Sequence, residues 1–85
     1  MQIDERAVLD FLKTNLNVDT TGLDADSALV SSGLVDSLGL VDLVMFLETD
    51  AGLRVAPGEI SLEHFDTAGR IVRFLAHKRA AAGGT

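Results

Sequence analysis

Three blocks of this chain place apolar residues at helical spacing, and no stretch alternates long enough to build a sheet. The first block holds Val8, Leu9, Leu12 and Leu16 behind Asp4 and Glu5. Acids in a first turn complement the helix dipole, so this block predicts a helix from about Asp4 to Leu16. The second runs from Ser37 to about Ala51, with Asp36 placed to cap it and Gly52 to stop it. The third follows Asp66 or Thr67 as cap and sets Ala68, Ile71, Val72 and Leu75 on one face. Pro57 suits the start of a short helical turn reaching about Leu62. Between the first two blocks, Gly22, Gly33 and a series of Asp, Ser and Thr residues break the periodicity from Asn17 to Asp36. That segment reads as a long connecting loop, with Leu23, Leu29, Val30, Leu34 and Val35 inside it. The expectation is an all-α fold, a small four-helix bundle of three main helices and one short helix. A chain of 85 residues has room for one domain, expected at 1–80, with 81–85 as a flexible tail.

Charge and residue inventory narrow the function classes. A formal net charge of -6 and a pI near 4.5 repel phosphate backbones and anionic lipid, so neither nucleic acid nor a membrane is an expected partner. Proteins with basic patches are. With no cysteine and only His64 and His77 for imidazole, a metal centre or a catalytic triad lacks its usual material. His64 reads as a partly exposed helix-end residue, and His77 suits the dipole near the C-terminus of the last helix. No basic-plus-apolar leader precedes the first block and no apolar run reaches membrane-spanning length, so cytoplasm is the expected location.

The second block is amphipathic in an unusual way. At about 100° per residue, Leu40, Leu43, Val44, Leu47 and Ala51 share a broad side suited to the core. The other side mixes Asp42, Glu48 and Thr49 with Leu38, Val41 and Met45. A small bundle that shows apolar surface everywhere, or a helix buried on both sides, would produce the same pattern. The functional reading is a docking face, an apolar stripe ringed by carboxylates that select basic partners. Phe46 fits either the rim of the core or the lining of a pocket.

Ser37 heads this helix, behind Gly33-Leu34-Val35-Asp36 and ahead of Leu38-Gly39. Asp36 or Ser37 is what an ordinary helix start looks like. A helix N-terminus also favours negative charge, so a phosphate ester on Ser37 would be well placed. Asp36-Ser37-Leu38, then Val41-Asp42-Leu43-Val44-Met45 and Leu47-Glu48, resembles the acyl and peptidyl carrier proteins. The resemblance extends from the first helix to Ile71-Val72-Arg73-Phe74-Leu75. It implies a four-helix carrier bundle and covalently attached 4′-phosphopantetheine on Ser37, donated by coenzyme A through a phosphopantetheinyl transferase. It implies further that Asp36, Leu38, Val41, Asp42, Met45 and Glu48 meet partner enzymes.

By that resemblance the chain is a discrete acyl or aminoacyl carrier and no enzyme, a monomer that shuttles a thioester-bound intermediate. Its partners would be the transferase, a loading enzyme (an adenylation enzyme or an acyltransferase) and a downstream synthase or transferase. The Gly33 to Leu38 segment resembles aminoacyl carriers, D-alanyl carriers included, at least as closely as the fatty-acid type. Gly39 and Leu40 stand where the fatty-acid pattern usually has an acid and a polar residue. Five Arg against two Lys, with many Ala, Gly and Val, suggests a GC-rich genome and a polyketide or nonribosomal peptide pathway. The rival from another class is an unmodified helical adaptor that uses the same acidic-apolar face and needs no modifiable Ser37.

Overall fold

The computed structural model describes residues 3–83. Helix α1 spans Glu5–Asn15, α2 Ser37–Ala51, α3 Leu62–Phe65 and α4 Ala68–Gly83, with a 3-10 turn at Pro57–Glu59. All regular elements among the described residues are helical, as the spacing of apolar residues anticipates. None of these helices is long and apolar enough to cross a membrane. Asp4 caps α1 by accepting the Ala7 N–H at 2.8 Å. Past Leu16, Asn17 turns into the left-handed region at φ 56°, and Val18 N–H reaches back to the Leu12 carbonyl. That reversal buries Val18 and sends the chain into the loop.

One expected element divides in two. The single short helix expected from Pro57 to about Leu62 is a 3-10 turn followed by a separate helix, α3. Glu59 closes the turn by accepting the Ala56 N–H at 2.8 Å, and Lys78 of α4 grips the same carboxylate oxygen at 2.8 Å. Ile60 and Ser61 are then extended, which lets Ile60 pack against the core before the helix restarts. At the far end, α4 continues to Gly83, while positions 84 and 85 of the expected tail lie outside the described residues.

The core draws on every helix. Val8 and Leu12 of α1, Leu43 and Leu47 of α2, Phe65 of α3 and Ile71 of α4 are each fully buried. The loop contributes Val18 at its start and the more deeply buried Leu29 and Val35 to the same cluster. Burying large aliphatic and aromatic side chains stabilises by about 1.5–3 kcal/mol each, so the loop's anchors matter as much as residues on the helices.

Candidate functional site

The long loop is folded by specific polar ties rather than left slack. The Asp66 carboxylate accepts the backbone N–H groups of Val30 at 3.0 Å and Ser31 at 2.8 Å, and the Ser31 hydroxyl at 2.8 Å. The Asp66 carbonyl accepts the Leu29 N–H at 2.7 Å, and the Ala25 carbonyl accepts the Gly69 N–H at 2.8 Å. A Cβ on Gly69 would sit 3.1 Å from that carbonyl oxygen, so glycine permits this close approach of backbone to backbone. The donors of Ser31, Val30 and Leu29 hold the Asp66 carboxyl below its ordinary range; the Ser31 N–H is the largest cause, and burial pulls the other way. Thr67, the other residue expected to cap the last helix, does so through its hydroxyl, which accepts the Arg70 N–H at 3.0 Å. The two neighbours thus divide the work, Thr67 starting α4 and Asp66 gripping the loop.

The loop delivers its last residues to a defined place. Val35 is buried and its N–H bonds the Leu29 carbonyl, whereas Asp36, Ser37 and Leu38 are exposed. Asp36 is the N-cap of α2, its Oδ1 accepting the Gly39 N–H and its carbonyl the Leu40 N–H, both at 2.8 Å. Gly39 is buried; a Cβ there would lie 3.2 Å from Leu16 and 3.3 Å from both Val35 and Asp36. The first turn of α2 is therefore pressed onto the end of α1 and the end of the loop. Because Asp36 does the capping, the Ser37 hydroxyl is not engaged in it. Residues 37 and 38 keep backbone N–H groups that no described residue accepts.

Of the other residues expected on the docking face, Leu38 is 77% exposed, Met45 59% and Val41 54%. Asp42 and Thr49 are exposed beside them. Glu48 differs. It is half-buried, and its Oε2 accepts the Val55 N–H at 2.9 Å, which ties down the segment after α2. Leu34, three positions ahead of Ser37, and Leu62, at the start of α3, add exposed apolar surface that helix periodicity does not register. Leu34 carried one signal in the sequence, as an apolar residue inside an otherwise polar loop.

Charge is segregated between helices. Helix α2 carries Asp42, Glu48 and Asp50 and no basic residue, whereas α4 carries Arg70, Arg73, Lys78 and Arg79 and no acid. The Arg70 guanidinium donates to the Leu62 carbonyl at 3.2 Å, joining α4 to α3. His64 lies in α3 and stacks on Phe74, with ring centroids 4.5 Å apart. Phe46 stacks on Phe11 at 4.5 Å and borders an open groove between α1 and α2, so it serves both the core rim and a cavity wall.

Comparison with known proteins adds the following. The family model described as "Phosphopantetheine attachment site" matches residues 6–75. The chain is 35% identical over 78 residues to a D-alanyl carrier protein of Abiotrophia defectiva, a match covering 92% of this chain and 98% of the relative. It is 34% identical over 71 residues to an acyl carrier protein of Thermotoga maritima, covering 84% of this chain and 85% of that one.

Proposed function

Since the chain belongs to the phosphopantetheine-attachment family of carrier proteins, we propose that Ser37 is its attachment residue and that the chain shuttles an acyl or aminoacyl group between enzymes. The observation that carries the assignment is the division of labour at the head of α2, where Asp36 caps the helix and leaves the Ser37 hydroxyl exposed and uncommitted. The site fits a phosphodiester. Two first-turn N–H groups with no acceptor among the described residues and the positive end of a 15-residue helix offset its charge. In the attachment, Ser37 Oγ forms the bond to phosphorus, the pyrophosphate bond of coenzyme A breaks, and adenosine 3′,5′-bisphosphate leaves. Once in place, 4′-phosphopantetheine supplies a thiol on a flexible arm that holds the cargo as a thioester.

The chain itself acts as a covalent shuttle in the cytoplasm and supplies position rather than catalysis. Asp36, Leu38, Val41, Asp42 and Met45 form the surface that meets the transferase, the loading enzyme and the downstream synthase. Glu48 supports that surface by fixing the segment behind it. We read the pathway as polyketide or nonribosomal peptide biosynthesis. A D-alanyl cargo is the second reading, favoured by the relative that bears that name.

The test is the intact mass after incubation with coenzyme A and a broad-specificity phosphopantetheinyl transferase. The wild type is expected to gain one phosphopantetheine and Ser37→Ala none. A folded wild-type protein that gains nothing from several such transferases would be an unmodified adaptor instead. Loading of the modified protein with ATP, an adenylation enzyme and single amino acids, against loading by an acyltransferase, then separates the cargo classes.

A further inference from the structure

The Phe11–Phe46 pair has surroundings that the attachment site does not use. The two rings lie nearly parallel, 16° apart, where α1 meets α2, and both are half-buried. They line both lobes of an open groove, with volumes of about 420 and 370 Å³. Asp10 borders one lobe, Asp42 and Asp50 the other, and Asn15 both. No basic residue lines either lobe. Among the described residues, none hydrogen-bonds to or ion-pairs with the carboxylates of Asp10, Asp42 or Asp50.

An aromatic pair with one carboxylate beside one lobe and two beside the other selects a particular chemistry. An apolar ligand would have to approach three charges, and an anion would be repelled. A cation gains from the ring faces and from the acids together. Between the two cationic side chains, a guanidinium suits the site better than an ammonium. It is planar, so it continues a stack of rings, and its forked donors reach carboxylates on either side.

We propose that the α1–α2 groove is a docking site for an arginine side chain presented by a partner protein. The proposal rests on the carrier reading for the partner's identity, an enzyme that approaches α2 and spreads its contact onto α1. It extends the docking surface from the exposed stripe of α2 to Phe11 and Asp10, and gives that surface a socket as well as a stripe.

The test is a titration of the 15N-labelled unmodified protein with acetyl-Gly-Arg-Gly-amide, and in parallel with acetyl-Gly-Lys-Gly-amide. The expected result is saturable shifts centred on Phe11, Phe46 and the Asn15 side-chain amide, tighter for the arginine peptide. In an Asp10→Asn/Asp50→Asn variant with an unchanged fold, binding should weaken roughly tenfold. Shifts that never saturate and spread equally to Asp19, Asp24 and Asp26 would overturn the proposal. Equal binding of the two peptides, or undiminished binding by the double variant, would overturn it as well. Attachment is read separately by mass gain, so failure of either experiment leaves the other conclusion standing.

Discussion

Asp66 holds Ser31 with both of its carboxylate oxygens, one accepting the backbone N–H and the other the hydroxyl, each at 2.8 Å. The junction between α3 and α4 thereby fixes a loop that reaches Ser37 a few residues later. Asp66→Ala removes all of these acceptors at once. Stability should fall by roughly 2–3 kcal/mol, the cost of charge-assisted bonds whose donors are left partly buried. Urea denaturation followed by circular dichroism measures the loss.

The same carboxylate makes stability depend on pH. Its folded pKa lies below the ordinary 3.8, because the Ser31 N–H first, and the Ser31 hydroxyl and Val30 N–H after it, favour the charged form over the opposing effect of burial. As pH falls, the unfolded chain takes up this proton first. The contribution is therefore complete above about pH 5 and drains away as pH drops through the folded value. Asp66→Asn keeps the shape and one acceptor oxygen but cannot titrate. The stability difference between wild type and this variant should shrink as pH is lowered from about 5, and a constant difference would contradict the assignment.

Asp36 and Ser37 separate the cap from the proposed attachment point. Asp36→Ala loses the acceptor for the Gly39 N–H and should cost about 1 kcal/mol. Ser37→Ala, at an exposed position with no cap bond, should change stability by no more than about 0.5 kcal/mol. Thermal melts of the two variants give the comparison. A large loss for Ser37→Ala would mean that the hydroxyl serves the fold.

Gly39 sets two rules against each other. Alanine is favoured over glycine within a helix by about 1 kcal/mol. Its Cβ would meet Leu16, Val35 and the Asp36 cap oxygen at 3.2–3.3 Å, and each of these neighbours would have to move. Crowding should win, giving a net loss of roughly 1 kcal/mol in Gly39→Ala. A denaturation midpoint above that of the wild type would show that the loop yields easily.

Leu38 and Met45 are too exposed to support the core. Leu38→Ala and Met45→Ala should leave the melting temperature nearly unchanged and raise the KM of the phosphopantetheinyl transferase several-fold, with kcat little altered. Steady-state kinetics with each variant as substrate decides it. Wild-type KM values for both would remove these residues from the interface.

Much of α2 was legible because its signals are local. Asp36 and Gly52 stand at its ends, and both act where the sequence puts them, Gly52 at φ 69° with its N–H on the Glu48 carbonyl. The two-sided pattern was legible too, since Leu43 and Leu47 are buried while Leu38, Val41 and Met45 are not. What escaped depends on distant partners. Asp66 reads equally well as a cap until Ser31 is beside it, and Phe46 cannot be assigned to rim or pocket without Phe11. Glu48 looked like another surface acid because its partner, the Val55 N–H, lies beyond the end of the helix. The break at Ile60 and Ser61 was hidden because nothing local says that Ile60 must turn inward to the core.

The separation of acids onto α2 and bases onto α4 gives the molecule an electric dipole moment as well as a net charge. A partner with a positive surface therefore applies a torque to it in addition to a pull. On the docking face proposed above, the carrier would swing round before touching, with α2 leading the approach. This shortens the rotational search that otherwise limits the meeting of two specific patches. Added salt screens pull and torque alike, so capture slows while the lifetime of the formed complex changes far less.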